Sequence, residues 1–211
     1  MLKLTYYYMA SGKNFPGLSF ESDPFTMFSR WYNEHLRNNP GYPGSFSLAS
    51  SDNERNVSAR IVLLKEYNFG GFIFYTNYES KKGIQISENN KVAMLFYWPE
   101  SSRQVRVEGK AYKISTEESA RYFASRPRES QIGAWASNQD IILPDRVFLE
   151  NRYREYESEF MGKDVPLPPY WGGFNIVPSW FEFWQEGNHR LHNRISFNYE
   201  DKRWKISLLS P

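Results

Sequence analysis

The chain has 211 residues and a formal net charge of only +2, so a dedicated nucleic-acid binder or a polybasic membrane protein is not expected. It contains no cysteine, which excludes disulfides, thiolate zinc sites, iron–sulfur clusters and thiol nucleophiles. Aromatic residues make up 18% of the chain, and this large apolar area favours a folded core over disorder.

The first 22 residues have no hydrophobic period and are predicted to form a mobile arm ahead of a single domain over 23–211. The arm has no apolar run of signal-peptide length, and no stretch of the chain has the roughly eighteen apolar residues of a membrane span. We therefore expect a cytoplasmic protein with no membrane partner.

A first helix is predicted to begin at Asp23-Pro24, because Asp is a good N-cap and Pro suits the first turn. It should end before Pro40. Its buried stripe is predicted to consist of Phe25, Phe28, Tyr32 and Leu36.

The rest of the chain alternates strand-like and helical segments. Strands are predicted at 45–50, 57–67, 71–77, 91–98, 103–114, 172–186, 190–199 and 203–209, because these segments are rich in β-branched and aromatic residues. Helices are predicted at 79–89, from the capping box Ser115 to Glu118 through Phe123, after Pro127, and from Pro144 to about Met161. The sum is an α+β fold, with about eight antiparallel strands in a β-barrel and peripheral helices.

Two segments have the residues of an anion site. Ser80, Lys81 and Lys82 stand where a helix begins, and free N–H groups there favour a phosphate; the alternative is an ordinary solvated turn. Tyr122 and Arg126 are four residues apart and are predicted to share a helix face, near Arg128 and Ser130. Structural ion pairs of Arg126 with Glu118 or Glu129 are the competing interpretation.

The segment WQEGNHRLHNR, residues 184–194, is a third candidate. If it is extended, Arg190, His192 and Arg194 lie on one face, and three cationic or titratable groups together indicate an anion site. The alternative is the charged outer face of a solvated strand.

Several chemistries are disfavoured by missing motifs. The chain has no G-x-G-x-x-G, no P-loop, no H-E-x-x-H and no G-x-S-x-G elbow, and no metal site is predicted. The strand GFIFYTN faintly resembles an RNA-recognition strand but has no matching partner strand, so no nucleic-acid partner is expected.

Seven segments, taken in order, resemble the pyridoxamine (pyridoxine) 5′-phosphate oxidase family over about residues 23–211. They are RIVLLK (60–65), FYTN (74–77), RQVRVEG (103–109), SRPRESQIGAWAS (125–137), WGG (171–173), EFWQ (182–185) and RLHNR (190–194). The resemblance implies an FMN-binding split β-barrel that works as a homodimer with FMN at the subunit interface.

The resemblance also implies site residues. The implied FMN contacts are Arg60, Ile61, Val62, Leu63, Lys65, Tyr75, Thr76, Lys81, Lys82, Gln104, Gln139, Trp184 and Arg194. The implied substrate contacts are Lys65, Tyr122, Arg126, Ser130, Arg190 and His192, of which Arg190 and His192 are the catalytic pair.

The chemistry implied by the resemblance is oxidation of pyridoxine 5′-phosphate or pyridoxamine 5′-phosphate to pyridoxal 5′-phosphate. Hydride passes from the C4′ carbon of the substrate to N5 of the flavin, and dioxygen becomes hydrogen peroxide. The alternatives are a related flavin oxidase acting on another ring, of the phenazine-biosynthesis type, and a non-catalytic flavin-binding barrel.

Four departures from the family pattern are visible. Lys81 stands where Arg is usual, Asn193 where Asp is usual, and Asp140 where Ser is usual. The segment Tyr6-Tyr7-Tyr8-Met9 lacks the family's Arg-Arg-Glu-Tyr pattern. Flavin affinity, rate and substrate preference are the properties that these departures put in question.

Overall fold

A computed structural model describes residues 21–211. The predicted arm and the Tyr6–Met9 segment therefore lie outside the described residues, apart from Glu21 and Ser22. The helices are α1 (Pro24–Asn38), α2 (Lys81–Glu88), α3 (Thr116–Ala124), α4 (Arg128–Ala136) and α5 (Arg146–Glu159). None of the helices in this described range is long and apolar enough to cross a membrane.

Nine strands form one antiparallel sheet in the described residues. They are β1 (Ser45–Ser51), β2 (Val57–Leu63), β3 (Glu66–Asn68), β4 (Gly71–Asn77), β5 (Lys91–Trp98), β6 (Arg103–Lys113), β7 (Trp171–Gln185), β8 (Asn193–Glu200) and β9 (Arg203–Leu208). The order is β2-β1-β5-β6-β7-β4-β3, and β8 and β9 extend from β7. Strand β7 pairs with β4 through its first half and with β8 through its second half.

The predicted strand over 57–67 was wrong in one respect, because the chain breaks it at Leu64 and Lys65. The Leu64 N–H donates to the Gly44 carbonyl at 2.8 Å, and the Lys65 N–H donates to the Ile73 carbonyl at 2.9 Å. The chain thus changes partner here, since β2 pairs with β1 and β3 pairs with β4. Because β2 and β3 stand at opposite ends of the strand order, this short link curls the sheet into a barrel.

Helix α1 covers the main core, as its sequence pattern predicted. Asp23 accepts the Thr26 N–H at 2.7 Å and caps the helix, and Phe25, Phe28 and Tyr32 are buried, whereas the predicted Leu36 is only half-buried against the same core. The Phe28 ring contacts aromatic rings from β3, β4 and β5. The packing of these large apolar side chains is the main stabilising contribution at this end of the barrel.

A smaller core lies beneath α3, α4 and α5. Its buried members are Phe123, Ile132, Phe160, Val165 and Trp171. Trp171 begins β7, so this core attaches the three helices to the edge of the barrel. It also places Tyr122 against the sheet, because the Tyr122 and Trp171 rings are stacked 6.2 Å apart.

The predicted capping box of α3 is present and gives a stability prediction. Ser115 Oγ accepts the Glu118 N–H at 3.1 Å, and the Glu118 carboxylate accepts the Ser115 N–H. We expect Ser115→Ala to lower the free energy of unfolding by about 1 kcal/mol, measured by urea denaturation. Thr116→Ala, in the adjacent exposed position, is the control. Equal midpoints for the two variants would contradict a stabilising role for the box.

Candidate functional site

The first cationic group stands at the beginning of α2. Ser80 is the N-cap, and Lys82, two residues later, is only 6% exposed. Its Nζ atom lies 3.0 Å from Ser80 Oγ and 3.3 Å from Thr76 Oγ1, and no carboxylate of the described residues forms an ion pair with it. Burial lowers the pKa of Lys82, because the charged form has lost water. A buried cation held only by hydroxyls suits an anionic ligand.

Arg60 belongs to the same region and is held in place by its own chain. Its guanidinium donates to the Leu48 carbonyl at 3.1 Å and to Ser50 Oγ at 2.7 Å. Burial lowers the pKa of Arg60, and the nearby Asp140 carboxylate opposes that shift. We refer to Arg60, Thr76, Ser80 and Lys82 as the α2 cluster.

Asp140 meets the same helix end from a distant part of the chain. The Lys81 backbone N–H donates to Asp140 Oδ2 at 2.7 Å, while the Lys81 side chain is exposed. Gln139 and Asp140 line a surface cavity of about 400 Å³ beside α2. The predicted flavin contacts Lys81, Lys82 and Gln139 are therefore neighbours in space.

The second cationic group comprises Lys65, Tyr122 and Arg126, which we refer to as the Arg126 cluster. Burial lowers the pKa of Lys65, and the nearby Arg126 guanidinium lowers it further. Arg126 lies 4.7 Å from the centre of the Trp171 ring, and its buried Nη1 atom has no hydrogen-bond partner in the described residues. An orphaned buried guanidinium N–H next to a second cation is an incomplete site, which a phosphate would complete.

The Arg126 cluster corrects one prediction and removes an alternative. Tyr122 and Arg126 do not share a helix face, because α3 ends at Ala124 and the residue before Pro127 is disfavoured in a helix. The two groups still interact electrostatically. Burial lowers the pKa of Arg126, and the nearby Tyr122 opposes this by raising it. The ion pairs proposed with Glu118 or Glu129 are not found in the described residues.

The neighbours of this cluster differ in their roles. Tyr75 stacks on Tyr122 with ring centres 3.8 Å apart and planes 11° apart. Ser130 is half-buried in the first turn of α4. Arg128, which the sequence grouped with them, donates instead to the Lys163 carbonyl at 2.8 Å and to the Phe160 carbonyl, so it fastens α4 to the end of α5.

The third group lies in the loop between β7 and β8. Arg190 and His192 line a surface cavity of about 550 Å³ together with Ser102, Glu186, Gly187, Asn188 and His189. The Gly187 N–H donates to His192 Nδ1 at 3.3 Å, so the neutral imidazole carries its proton on Nε2. The His192 ring lies 4.8 Å from the Trp184 ring, which brings a predicted flavin contact beside a predicted catalytic residue.

The predicted extended conformation of residues 190–192 was wrong. Asn188–Arg190 forms a 3₁₀ turn with φ of +56° at His189 and +64° at Arg190, and β8 begins only at Asn193. The reason is topological, because Gln185 and Asn193 are antiparallel partners and the residues between them must reverse the chain. Arg190, His192 and Arg194 consequently do not lie on one strand face.

Arg194 has partners that the sequence did not predict. Its Nε atom donates to Glu182 Oε1 at 2.6 Å, and its Nη1 atom donates to the Ser210 carbonyl at 2.7 Å. Glu182 is 1% exposed and also accepts from Arg106 Nη1 at 2.9 Å. The sequence analysis assigned no contact to Glu182, although the residue begins the segment EFWQ and is an acidic residue within the aromatic run WFEFW.

The remaining predicted contacts are spread over both faces of the sheet. Ile61 and Leu63 point outward on β2, with Ile61 65% exposed, whereas Val62 packs against the core. Gln104 on β6 is the strand partner of Trp184. No hydrogen bond, ion pair or ring contact in the described residues joins Arg190 or His192 to the Arg126 cluster. Within the described part of one chain, the predicted substrate contacts thus form two groups that do not touch each other directly.

Comparisons with known proteins identify the family of the chain. A family model described as pyridoxamine 5′-phosphate oxidase matches residues 32–159, and one described as the pyridoxine 5′-phosphate oxidase C-terminal dimerisation region matches residues 171–211. The pyridoxine/pyridoxamine 5′-phosphate oxidase of Rippkaea orientalis is 47% identical over 190 residues, covering 90% of each chain. That of Coxiella burnetii is 43% identical over 194 residues, covering 92% of this chain and 98% of the relative.

Two solved structures share the fold. PhzG from Burkholderia lata, solved with tetrahydrophenazine-1-carboxylic acid, superposes with a TM-score of 0.85 at 27% identity, covering 90% of this chain and 94% of its own. A pyridoxamine 5′-phosphate oxidase-related, FMN-binding protein from Nostoc punctiforme superposes with a TM-score of 0.70 at 14% identity, covering 87% and 97%. The predicted split-barrel fold is confirmed.

Proposed function

Because the chain belongs to the pyridoxamine 5′-phosphate oxidase family, we propose that it is an FMN-dependent oxidase that converts pyridoxine 5′-phosphate and pyridoxamine 5′-phosphate to pyridoxal 5′-phosphate. A flavin is the cofactor class that the family uses.

The observation that carries the proposal is the Arg126 cluster. It gathers two cations and a phenol, has no carboxylate partner in the described residues, and leaves Arg126 Nη1 without an acceptor. A substrate phosphate supplies the missing acceptors, and charge-assisted hydrogen bonds to it are stronger than neutral ones. The α2 cluster suits the phosphate of FMN for the same reason, since Lys82 is buried against hydroxyls alone.

The complete site is proposed to need two protomers. The match to the dimerisation region covers Trp184, Arg190, His192 and Arg194, whereas the Arg126 and α2 clusters fall in the other matched region. The two sets make no direct contact within the described part of one chain. In a homodimer, the β7–β8 loop of one protomer would meet the Arg126 cluster of its partner, with FMN at the interface between them.

The proposed contacts are those that the resemblance implies. FMN is held by Arg60, Ile61, Val62, Leu63, Lys65, Tyr75, Thr76, Lys81, Lys82, Gln104, Gln139, Trp184 and Arg194. The substrate is held by Lys65, Tyr122, Arg126, Ser130, Arg190 and His192. Exposed apolar side chains such as Ile61 fit this proposal, because a ligand ring or a partner chain would cover them.

The role of the protein is to orient the substrate and to place charge beside it. When bound, the flavin supplies a two-electron acceptor whose reduced form dioxygen reoxidises, giving hydrogen peroxide. Arg190 places a cation in the cavity where the substrate ring would lie, and His192 presents its Nε2–H to the substrate. Holding the C4′ carbon of the substrate in one orientation is the main contribution expected of these two residues.

The direct test is purification of the full chain without added flavin, followed by assays for peroxide and for pyridoxal 5′-phosphate. We expect a yellow dimer that forms both products from either substrate. Bound flavin without peroxide would favour the non-catalytic barrel. Turnover of reduced phenazine precursors without turnover of the B6 phosphates would favour a phenazine-type oxidase. This alternative is included because PhzG superposes on the chain with a TM-score of 0.85.

Arg126→Gln tests the substrate phosphate site. We expect the KM for pyridoxine 5′-phosphate to rise about tenfold to a hundredfold, because a buried charge-assisted contact is lost. Steady-state peroxide assays measure it, with unphosphorylated pyridoxine as the comparison substrate. Arg121→Gln, which changes an exposed arginine of α3 five residues earlier, is the control. An equal rise in KM for pyridoxine 5′-phosphate and for unphosphorylated pyridoxine would show that Arg126 does not recognise the phosphate.

A further inference from the structure

One carboxylate stands where the proposed function puts the flavin phosphate. Asp140 Oδ2 accepts the first backbone N–H of α2, from Lys81, at 2.7 Å. The two residues are 59 positions apart, so this contact depends on the tertiary fold. Ser80 Oγ caps the N–H of Gly83 at the same helix end. Asp140 is therefore the anion that this helix N-terminus holds in the structure.

The groups around Asp140 carry more positive charge than one carboxylate neutralises. Lys82 is buried beside the helix end with hydroxyl partners only, and the field of Asp140 reaches both Lys82 and Arg60. A helix N-terminus and two cations stabilise one phosphate well. A carboxylate at the same N–H competes for the donor and repels the phosphate, because like charges a few ångströms apart still repel strongly near a protein surface.

Few contacts hold the Asp140 carboxylate at the N-terminus of α2. Its side chain is exposed, its carboxylate has only the Lys81 N–H as a hydrogen-bond partner in the described residues, and its backbone has φ of +72°. An Asp tolerates this left-handed conformation better than most residues do. Moving the carboxylate away from α2 thus breaks one hydrogen bond and removes its field from Lys82 and Arg60, which the phosphate would replace.

We propose that Asp140 is an internal competitor of the flavin phosphate, which occupies the N-terminus of α2 in the flavin-free protein and has to be displaced when FMN binds. The inference rests on the proposed function, because it takes the α2 cluster as the phosphate site. Its consequence is a protein that binds FMN more weakly than its other contacts would allow. The family's usual Ser at this position carries no charge and would donate to the phosphate instead of repelling it.

The test is a flavin titration of the full chain after removal of flavin, followed by flavin fluorescence, with FMN and with riboflavin as the two probes. For Asp140→Asn we expect the Kd for FMN to fall at least about tenfold, because the repulsion is removed. The Kd for riboflavin, which has no phosphate, should stay within about twofold. Asp140→Ser should behave in the same way and serves as a second variant if the first is unstable.

Glu79→Gln is the matched control. Glu79 lines the same cavity and loses the same charge, but its carboxylate is not bonded to the N-terminus of α2. An unchanged Kd for FMN in both Asp140 variants, or an equal gain in Glu79→Gln, would overturn the inference. A gain with riboflavin equal to that with FMN would also overturn it. Absence of any FMN binding, in wild type and variants alike, would instead overturn the proposed function.

Discussion

Replacing Arg190 with alanine is expected to lower kcat by about a hundredfold to a thousandfold while the flavin content of the purified protein stays near that of the wild type. The Arg190 side chain lines the loop cavity, is exposed, and makes no hydrogen bond or ion pair within residues 21–211. Its charge is therefore available to a ligand and holds no other part of the described chain. The positive φ of Arg190 should not by itself make the alanine variant less stable than the wild type, since arginine and alanine both tolerate this conformation poorly.

Turnover is measured as peroxide formed per bound flavin, and flavin content by absorbance after gel filtration. Arg190→Lys should fall between wild type and alanine, because it keeps the charge but loses the planar fork. Arg203→Ala, an exposed arginine on β9, controls for the loss of one positive charge. Near-wild-type turnover in Arg190→Ala would remove this residue from the mechanism, whatever the flavin content.

Glu182→Ala is expected to lower the free energy of unfolding by about 1.5–3 kcal/mol, the typical contribution of hydrogen bonds to a charged group. The Glu182 carboxylate is 1% exposed and accepts from Arg194 at 2.6 Å and from Arg106 at 2.9 Å. Its removal leaves two guanidiniums facing each other across a cavity, without the anion that satisfies them. Arg194, whose pKa is raised by its hydrogen bond to Glu182, would also lose the partner that orients it toward the proposed flavin site.

Glu108→Ala provides the matched control for Glu182. Glu108 also pairs with Arg106, at 3.1 Å, but its side chain is about half exposed. Solvent screens such a pair, so its loss should cost less than about 1 kcal/mol. Both variants are compared with wild type by urea denaturation at one protein concentration, since the proposed dimerisation would contribute to the apparent stability. A similar decrease in the free energy of unfolding for the two variants would show that the burial of Glu182 does not strengthen its contribution to stability.

The local elements of the fold were predictable from the sequence because their signals are local. Asp23-Pro24 marks the start of α1, Ser115 and Glu118 mark the start of α3, and the structure has both caps. The hydrophobic period of α1 identified its buried face for the same reason. These local predictions were confirmed, whereas the helix face predicted for Tyr122 and Arg126 was wrong because α3 ends at Ala124, before Pro127. The strand prediction was wrong where the conformation depends on a residue far along the chain. Lys65 is an example, because its N–H donates to the Ile73 carbonyl and the chain no longer continues β2.

By itself, the sequence determined most of the helices and strands, the family, and the cationic and hydroxyl residues of the candidate anion sites, because caps, periods and ordered motifs depend on neighbouring positions. Only the tertiary structure decided that residues 188–190 form a turn, that Arg126 keeps an orphaned N–H, and that Glu182 and Asp140 reach Arg194 and Lys81. Those contacts depend on how the curled sheet packs against its helices. Burial and the approach of charges arise from packing, which no short stretch of sequence specifies.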